Sequence, residues 1–235
     1  MTTSQNFKRV WLITGASRGI GAKIAAAALV NGDAVVATAR DASSITQRFG
    51  EQPGLLAATL DVTHEAQGVA VAKAAIDHFG RIDVLVNNAG FGVLGAVEEA
   101  SADEVRRVYE TNVFGLLNVT RAVLPHMRAA RRGHVINLSS VGGYRSGPGF
   151  GVYCSTKFAV EGLSEALHAE LAPLGINVTI VEPGYFRTEF LEGNSLVESP
   201  ASIADYDSSI LRRQILSSNK RRNPAPTCNH PQKRD

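Results

Sequence analysis

The chain has 235 residues, of which 44% are hydrophobic and 20% charged, and a formal net charge of +2. That is enough apolar material for one large domain with a full core, and it excludes a wholly disordered chain. The charge is unevenly placed: residues 217–235 carry Lys220, Arg221, Arg222, Lys233 and Arg234 against Asp235 alone, which leaves the rest of the chain at roughly −2. A body without a basic excess points away from a nucleic-acid partner. The longest apolar run, Ile24 to Val30, is too short to span a bilayer, so no membrane partner is expected. The polar opening MTTSQNFKRV reads as neither signal peptide nor lipidation site. Cys154 and Cys228 can form neither a disulfide framework nor a cysteine zinc cluster, and a cytoplasmic location is expected.

Strand-like and helix-like segments alternate along the chain. Val10 to Thr14 is a short apolar run that ends in glycine-rich sequence, and the alanine-rich stretch Ile20 to Val30 reads as a helix. Ala34 to Ala39 and Leu55 to Leu60 read as the second and third strands. In Glu65 to Phe79, Val69, Ala72, Ile76 and Phe79 recur near one helical face. Val84 to Asn87 is a fourth strand, Asp103 to Met127 one long helix, and His134 to Leu138 a fifth strand. Val152 to Leu171 is a helix stopped by Pro173 and Gly175, and Asn177 to Glu182 is a sixth strand. Ser202 to Leu216 is compatible with one more helix.

This alternation implies parallel strands joined by right-handed crossovers, and strands this apolar imply a sheet covered on both faces. The expected fold class is α/β, a doubly wound parallel sheet of the Rossmann kind. Residues 1–216 form the expected domain. Residues 217–235 contain no large apolar side chain and predict a disordered tail.

The first strand feeds Thr14-Gly15-Ala16-Ser17-Arg18-Gly19-Ile20-Gly21 and then a helix. Amides at a helix N-terminus point at an anion, and glycines let a pyrophosphate approach. A glycine-rich loop alone is a weak signal, but its place between strand and helix is the one that dinucleotide binding needs. At the end of the second strand, an acidic residue would bind a ribose 2′-OH, whereas arginine accommodates a 2′-phosphate. The sequence there reads Ala39-Arg40-Asp41, with Arg18 in the glycine loop nearby. Two guanidinium groups suit a phosphate dianion and favour NADP(H) over NAD(H). Asp41 would favour NAD(H) if it reached the ribose.

Tyr153 and Lys157 stand four apart in a predicted helix and therefore share a face. Lowering a tyrosine pKa from about 10 to neutrality takes roughly 4 kcal/mol. A positive charge about 4 Å away supplies roughly that much at an effective dielectric of 20. On its own such a pair more often reflects packing and solvation. Here Ser140 lies 13 residues upstream at the end of the fifth strand, Asn87-Asn88-Ala89-Gly90 ends the fourth, Pro183-Gly184 follows the sixth, and Asn112 sits inside the long helix.

With these residues in view, the sequence resembles the short-chain dehydrogenase/reductase family. The elements that match are TGASRGIG (14–21), Asp61-Val62, NNAG (87–90), Asn112, Ser140, YCSTK (153–157) and PGYFRT (183–188), in order over about residues 8–190. The resemblance implies hydride transfer between NADP(H) and a ketone or secondary alcohol. It assigns Tyr153 as general acid/base, Ser140 as the hydrogen-bonding partner of the reacting oxygen, and Lys157 as the ribose ligand that depresses Tyr153. Asn112 would kink its helix and hold a water in a relay to Lys157. For the cofactor it implies Gly15, Ser17, Arg18, Gly19, Ile20 and Gly21 at the phosphates and Arg40 at the 2′-phosphate. Asp61 and Val62 would address the adenine, and Asn87, Ala89 and Gly90 the cleft wall. Pro183, Gly184, Phe186 and Thr188 would meet the nicotinamide end. No metal is implied.

The family continues past its sixth strand to a substrate loop, a helix and a seventh strand. Here a polar tail follows instead, which reads as a truncation or frame change after about Leu211 and leaves the last strand missing. An inactive nucleotide-binding protein is therefore the alternative to a working enzyme, and a homo-oligomeric scaffold using the long helices at 103–127 and 152–171 is a second alternative. Phe91, Leu94, Val141, Tyr144, Phe150, Tyr185, Phe190 and Leu191 flank the motifs and predict a partly apolar substrate pocket. Arg145 and Arg187 could meet an acidic group, although solvated surface arginine is the simpler reading. Cys154 reads as a small helix residue, and the histidines show no ligand spacing.

Overall fold

The computed structural model describes residues 7–184 and 195–206. A six-stranded parallel sheet runs in the order β3-β2-β1-β4-β6-β7. Its strands are β1 (Val10–Ile13), β2 (Ala34–Ala39), β3 (Leu55–Thr59), β4 (Val84–Asn87), β6 (Gly133–Leu138) and β7 (Ile176–Val181). The expected doubly wound α/β architecture is the one observed, with strand ends differing by a residue or so.

Alternation along each strand sorts the core into two layers. Leu12, Val36 and Leu85 pack on one face with Val71 and Ala75 of α3 (Glu65–Phe79) and Val119, Val123 and Met127 of α5 (Gly115–Ala130). Ile13, Val35, Ala37 and Val86 point to the other face. There they meet Ala25 and Ala28 of α1 (Gly19–Val30) and Ile45 of α2 (Ser43–Phe49). All six residues of β2 are buried, which is why that strand is apolar throughout. Burial alternates along β7, and among the described residues it pairs only with β6.

Three features depart from the expected elements. The helix α2 was not expected; Asp41 starts it by accepting hydrogen bonds from Ser43 N and Oγ. The stretch expected as one long helix is instead α4 (Ala102–Tyr109), a π-helical turn over Glu110–Phe114, and α5. The Ser101–Glu104 capping box starts α4. Finally, the three-residue strands β5 (Gly92–Leu94) and β8 (Leu196–Glu198) pair in parallel as a separate two-stranded sheet. Of the expected helix at Ser202–Leu216, only a 3₁₀ turn at Ala204–Tyr206 falls on described residues. The tail expectation lies outside them. No described helix is long and apolar enough to cross a membrane.

Candidate active site

β1 and β4 are neighbours whose following connections diverge, one toward β2 and the other toward β6. A crevice opens at the carboxyl ends of strands at such a switch point. Here it is a cleft of 1810 Å³.

The glycine turn forms its floor. Gly15 and Gly19 hold φ of +64° and +57°, a region that costs other residues about 1–2 kcal/mol. Gly21 is required for a different reason. A Cβ there would lie 2.4 Å from Asn88 Nδ2 and 2.5 Å from the Gly15 carbonyl oxygen. The Asn88 amide donates to Thr14 O at 2.9 Å and Gly15 O at 3.0 Å, and Thr14 Oγ1 accepts from the backbone amides of Asn88 and Ala89. Thr14 and Asn88 thus brace the turn against the end of β4. Neither was singled out from the sequence, although both lie within the quoted motifs. Gly15, Ser17, Arg18, Gly19 and Ile20 line the cleft, while Gly21 packs beneath it.

At the adjoining end, Ala39, Arg40, Asp41, Asp61 and Val62 line the wall. Arg40 is exposed, whereas the Asp41 carboxylate is held by Ser43, whose hydrogen bonds keep its pKa low. Burial acts to raise the Asp61 pKa, but hydrogen bonds from Thr63 and the charges of His64 and Arg40 bring it below the usual range. The Arg18 guanidinium donates to Ser195 Oγ at 2.9 Å, just before β8.

At the end nearer β6, Ser140, Tyr153 and Lys157 all line the same cleft. Tyr153 and Lys157 project from α6 (Gly151–Leu171), and Ser140 follows β6. The Ser140 hydroxyl accepts from Gly142 N at 3.0 Å and is hydrogen-bonded to Tyr153. Lys157, 8% exposed, donates from Nζ to Leu138 O at 2.7 Å and lies 5.9 Å from the Tyr153 ring centroid. Burial lowers its pKa from 10.5 to about 8, with Glu161 acting in the opposite direction. The expected depression of Tyr153 is not produced by these protein groups. Burial pushes it up to about 12, against the pull of the Ser140 hydrogen bond.

Asn112 falls within the π turn, at the expected interruption of the long helix, and is 2% exposed. Its Oδ1 accepts from Phe91 N at 3.0 Å, and its Nδ2 donates to Phe91 O at 2.9 Å and Thr156 Oγ1 at 3.0 Å. Both ends of the side chain are therefore occupied in clamping the chain after Gly90 to α6.

Asn87 does not line the cleft. Its Nδ2 donates to Thr120 Oγ1 and Asn137 Oδ1 inside the core, while Asn88, Ala89 and Gly90 face the cleft. Pro183 and Gly184 line it as well; Phe186 and Thr188, with Tyr185, Arg187, Phe190 and Leu191, lie outside the described residues. Of the expected substrate-side residues, Phe91, Val141, Arg145 and Phe150 line the cleft, whereas Leu94 is buried and Tyr144 projects into solvent. Arg107, Glu110, Leu196 and Val197 also line it and were not foreseen. Leu196 and Val197 reach it through the pairing of β5 with β8, and Arg107 and Glu110 from α4 and the π turn.

Fold and cleft together define an α/β protein with a doubly wound parallel sheet and a glycine-floored cleft at its switch point. The chain belongs to the short-chain dehydrogenase family, whose pattern it matches over residues 9–197. It is 40% identical over 225 residues to a 3-ketodihydrosphingosine reductase of Bacteroides thetaiotaomicron, covering 96% of this chain and 80% of that one. The crystal structure of a short-chain dehydrogenase from Streptomyces avermitilis superposes with a TM-score of 0.82 at 42% identity, over 90% of this chain and 78% of that one. ElxO with NADP bound gives a TM-score of 0.76 at 32% identity, over 90% and 83%. Other solved neighbours hold NAD or NADH.

Proposed function

We propose that the protein is an NADP(H)-dependent carbonyl reductase or alcohol dehydrogenase. The observation that carries this reading is the convergence of Ser140, Tyr153 and Lys157 on the cleft whose floor is the Gly15–Gly19 turn. The cleft fits a dinucleotide. A Cβ on Gly19 would meet nothing within 4 Å, so the turn is open on that side, and its backbone conformation favours glycine. Gly15, Ser17, Arg18, Gly19 and Ile20 would hold the phosphates, with Gly21 packing beneath them. Asp61 and Val62 would hold the adenine, Lys157 the ribose near the reacting end, and Ala89, Gly90, Pro183 and Gly184 the nicotinamide side. The preference for NADP(H) rests on the exposed Arg40 and on Arg18, both of which line the cleft, and on Asp41 being engaged by Ser43 rather than offered to a ribose.

When bound, the nicotinamide supplies or takes up the hydride. The protein handles the proton. Gly142 N–H occupies one Ser140 lone pair, and opening of the Ser140–Tyr153 hydrogen bond would let both hydroxyls hold a substrate oxygen between them. With its pKa near 12, Tyr153 keeps its proton at neutral pH and can donate it to that oxygen. The Lys157 ammonium, on the same helix face, stabilises the phenolate that results. The apolar lining at Phe91, Val141 and Phe150 suits a ketone or secondary alcohol with a hydrophobic body.

Tyr153→Phe tests this reading. The variant should bind NADPH as the wild type does and lose a factor of about 10²–10⁴ in carbonyl reduction. Equal rates in the two proteins would refute it. NADPH binding without turnover in either protein would favour the inactive nucleotide-binding alternative.

A further inference from the structure

Glu99 is 3% exposed and takes no part in the chemistry above. Its two carboxylate oxygens accept from amides on different segments: Oε2 from Ala96 N at 2.7 Å, and Oε1 from Ile203 N at 2.8 Å. Its own carbonyl oxygen accepts from Ser199 Oγ at 2.9 Å, while Ser199 N donates to Leu94 O at 2.9 Å. Ser199 is itself 4% exposed, and its Cβ would lie 3.0 Å from any Cβ placed on Gly95. The chain at 199–203 is thus fastened to the chain at 94–99 at three points. These points directly follow β8, whose Leu196 and Val197 form part of the cleft wall. A pair of three-residue strands such as β5 and β8 does not sustain itself. Something outside the pair must hold it, and the buried carboxylate is placed to do so.

We propose that Glu99 is a positioning residue for the active-site cleft: its carboxylate holds β8 against β5 and so fixes the Leu196–Val197 wall on which substrate and cofactor are seated. This rests on the proposed oxidoreductase function. Both oxygens serve as acceptors, so a carboxylate is required rather than an amide. Glutamine has the same volume but one acceptor, and its NH₂ would face a backbone N–H. Aspartate is one methylene too short to keep both bonds.

The test compares wild type with Glu99→Gln and Ser199→Ala. Hydrogen exchange at the amides of Val197, Ser199 and Ile203 should accelerate at least about tenfold in Glu99→Gln, the factor that loss of one charge-assisted hydrogen bond supplies. Amides of β1 and β4 should be unchanged. In the same variant, KM for the carbonyl substrate and Kd for NADPH should rise about tenfold, with kcat within about threefold of wild type. Ser199→Ala should move each quantity in the same direction by less. Unchanged exchange at 197–203, or acceleration spread evenly over the sheet, would overturn the proposal. So would local acceleration with KM and Kd unmoved, since Glu99 would then be structural only. A wild-type protein that binds NADPH but reduces no carbonyl overturns the function reading alone, and the NADPH affinity of Glu99→Gln still decides this one.

Discussion

Gly19 and Gly21 stand two residues apart in the same turn, and the structure assigns them different reasons for being glycine. Alanine at 19 meets no neighbour but must hold φ of +57°, at a cost of about 1–2 kcal/mol. Alanine at 21 keeps an ordinary conformation but drives its methyl against Asn88 Nδ2 and the Gly15 carbonyl. Overpacking of this kind costs about 1–3 kcal/mol. Displacing the Asn88 amide also forfeits its bonds to Thr14 O and Gly15 O, at about 1 kcal/mol each. The sum is about 3–5 kcal/mol. At about 2–4 °C per kcal/mol for a domain of this size, Gly21→Ala should lower Tm by about 6–20 °C, and Gly19→Ala by about 2–8 °C. Thermal unfolding in the absence of cofactor reads both. Adding Asn88→Ala to Gly21→Ala removes the nearer contact but leaves the Gly15 oxygen, so the double variant should lose less than the sum of the two single losses. If Gly19→Ala proves the more damaging change, or the two losses at 21 and 88 simply add, the account of the brace is wrong.

Other outcomes follow from the same geometry. Lys157 has its pKa lowered to about 8 on folding, so between about pH 8 and 10.5 the unfolded chain holds a proton that the native chain has released, and this residue makes stability rise with pH. Tyr153, raised to about 12, acts oppositely between about pH 10 and 12. Urea unfolding at pH 8 and pH 10 should show Lys157→Met losing a rise of at most about 3 kcal/mol, and an unchanged pH slope would contradict the burial assigned to the ammonium. Asn112→Ala strands both polar groups of the Phe91 backbone and should cost about 2–4 kcal/mol in urea unfolding; a loss under about 0.5 kcal/mol would deny the clamp. Arg40→Ala should reduce the preference for NADPH over NADH by about 10–100-fold in fluorescence titration, and a preference that does not move would place the 2′-phosphate elsewhere.

Much of this was legible in the sequence, and the parts that were not share a cause. The strands of a sheet covered on both faces are apolar throughout, and β2 and β4 announced themselves in that way. Helix α2 buries only Ile45, so no apolar period marked it, and Asp41, which starts it, had been weighed as a ribose ligand. The β5–β8 pair joins residues some hundred positions apart through three residues on each side, with no local pattern to betray it. Two adjacent asparagines at a strand end read alike, yet successive side chains leave a strand on opposite sides. Asn87 therefore enters the core and Asn88 braces the turn. Tyr153, Lys157 and Ser140, which the family pattern names together, line one cleft. That pattern did not reveal that burial, against the Ser140 hydrogen bond, would set the phenol high.

The π turn at Glu110–Phe114 also bears on how this chain can vary. It adds one residue to a helix whose two arms serve different hydrophobic clusters: Val105 and Val108 pack toward Val93 and Val152, and Val119, Val123 and Met127 pack toward the sheet. Each residue turns an α-helix by about 100°. The wider π turn absorbs that extra residue, so deleting one of the five would yield a more regular helix with both apolar stripes still facing their clusters, and the loss would fall on Asn112 and its hold on Phe91. Most helices tolerate a change of length at their ends. Here the extra residue in the middle serves the Asn112 clamp, and a single-residue deletion there should cost about what the loss of that clamp costs.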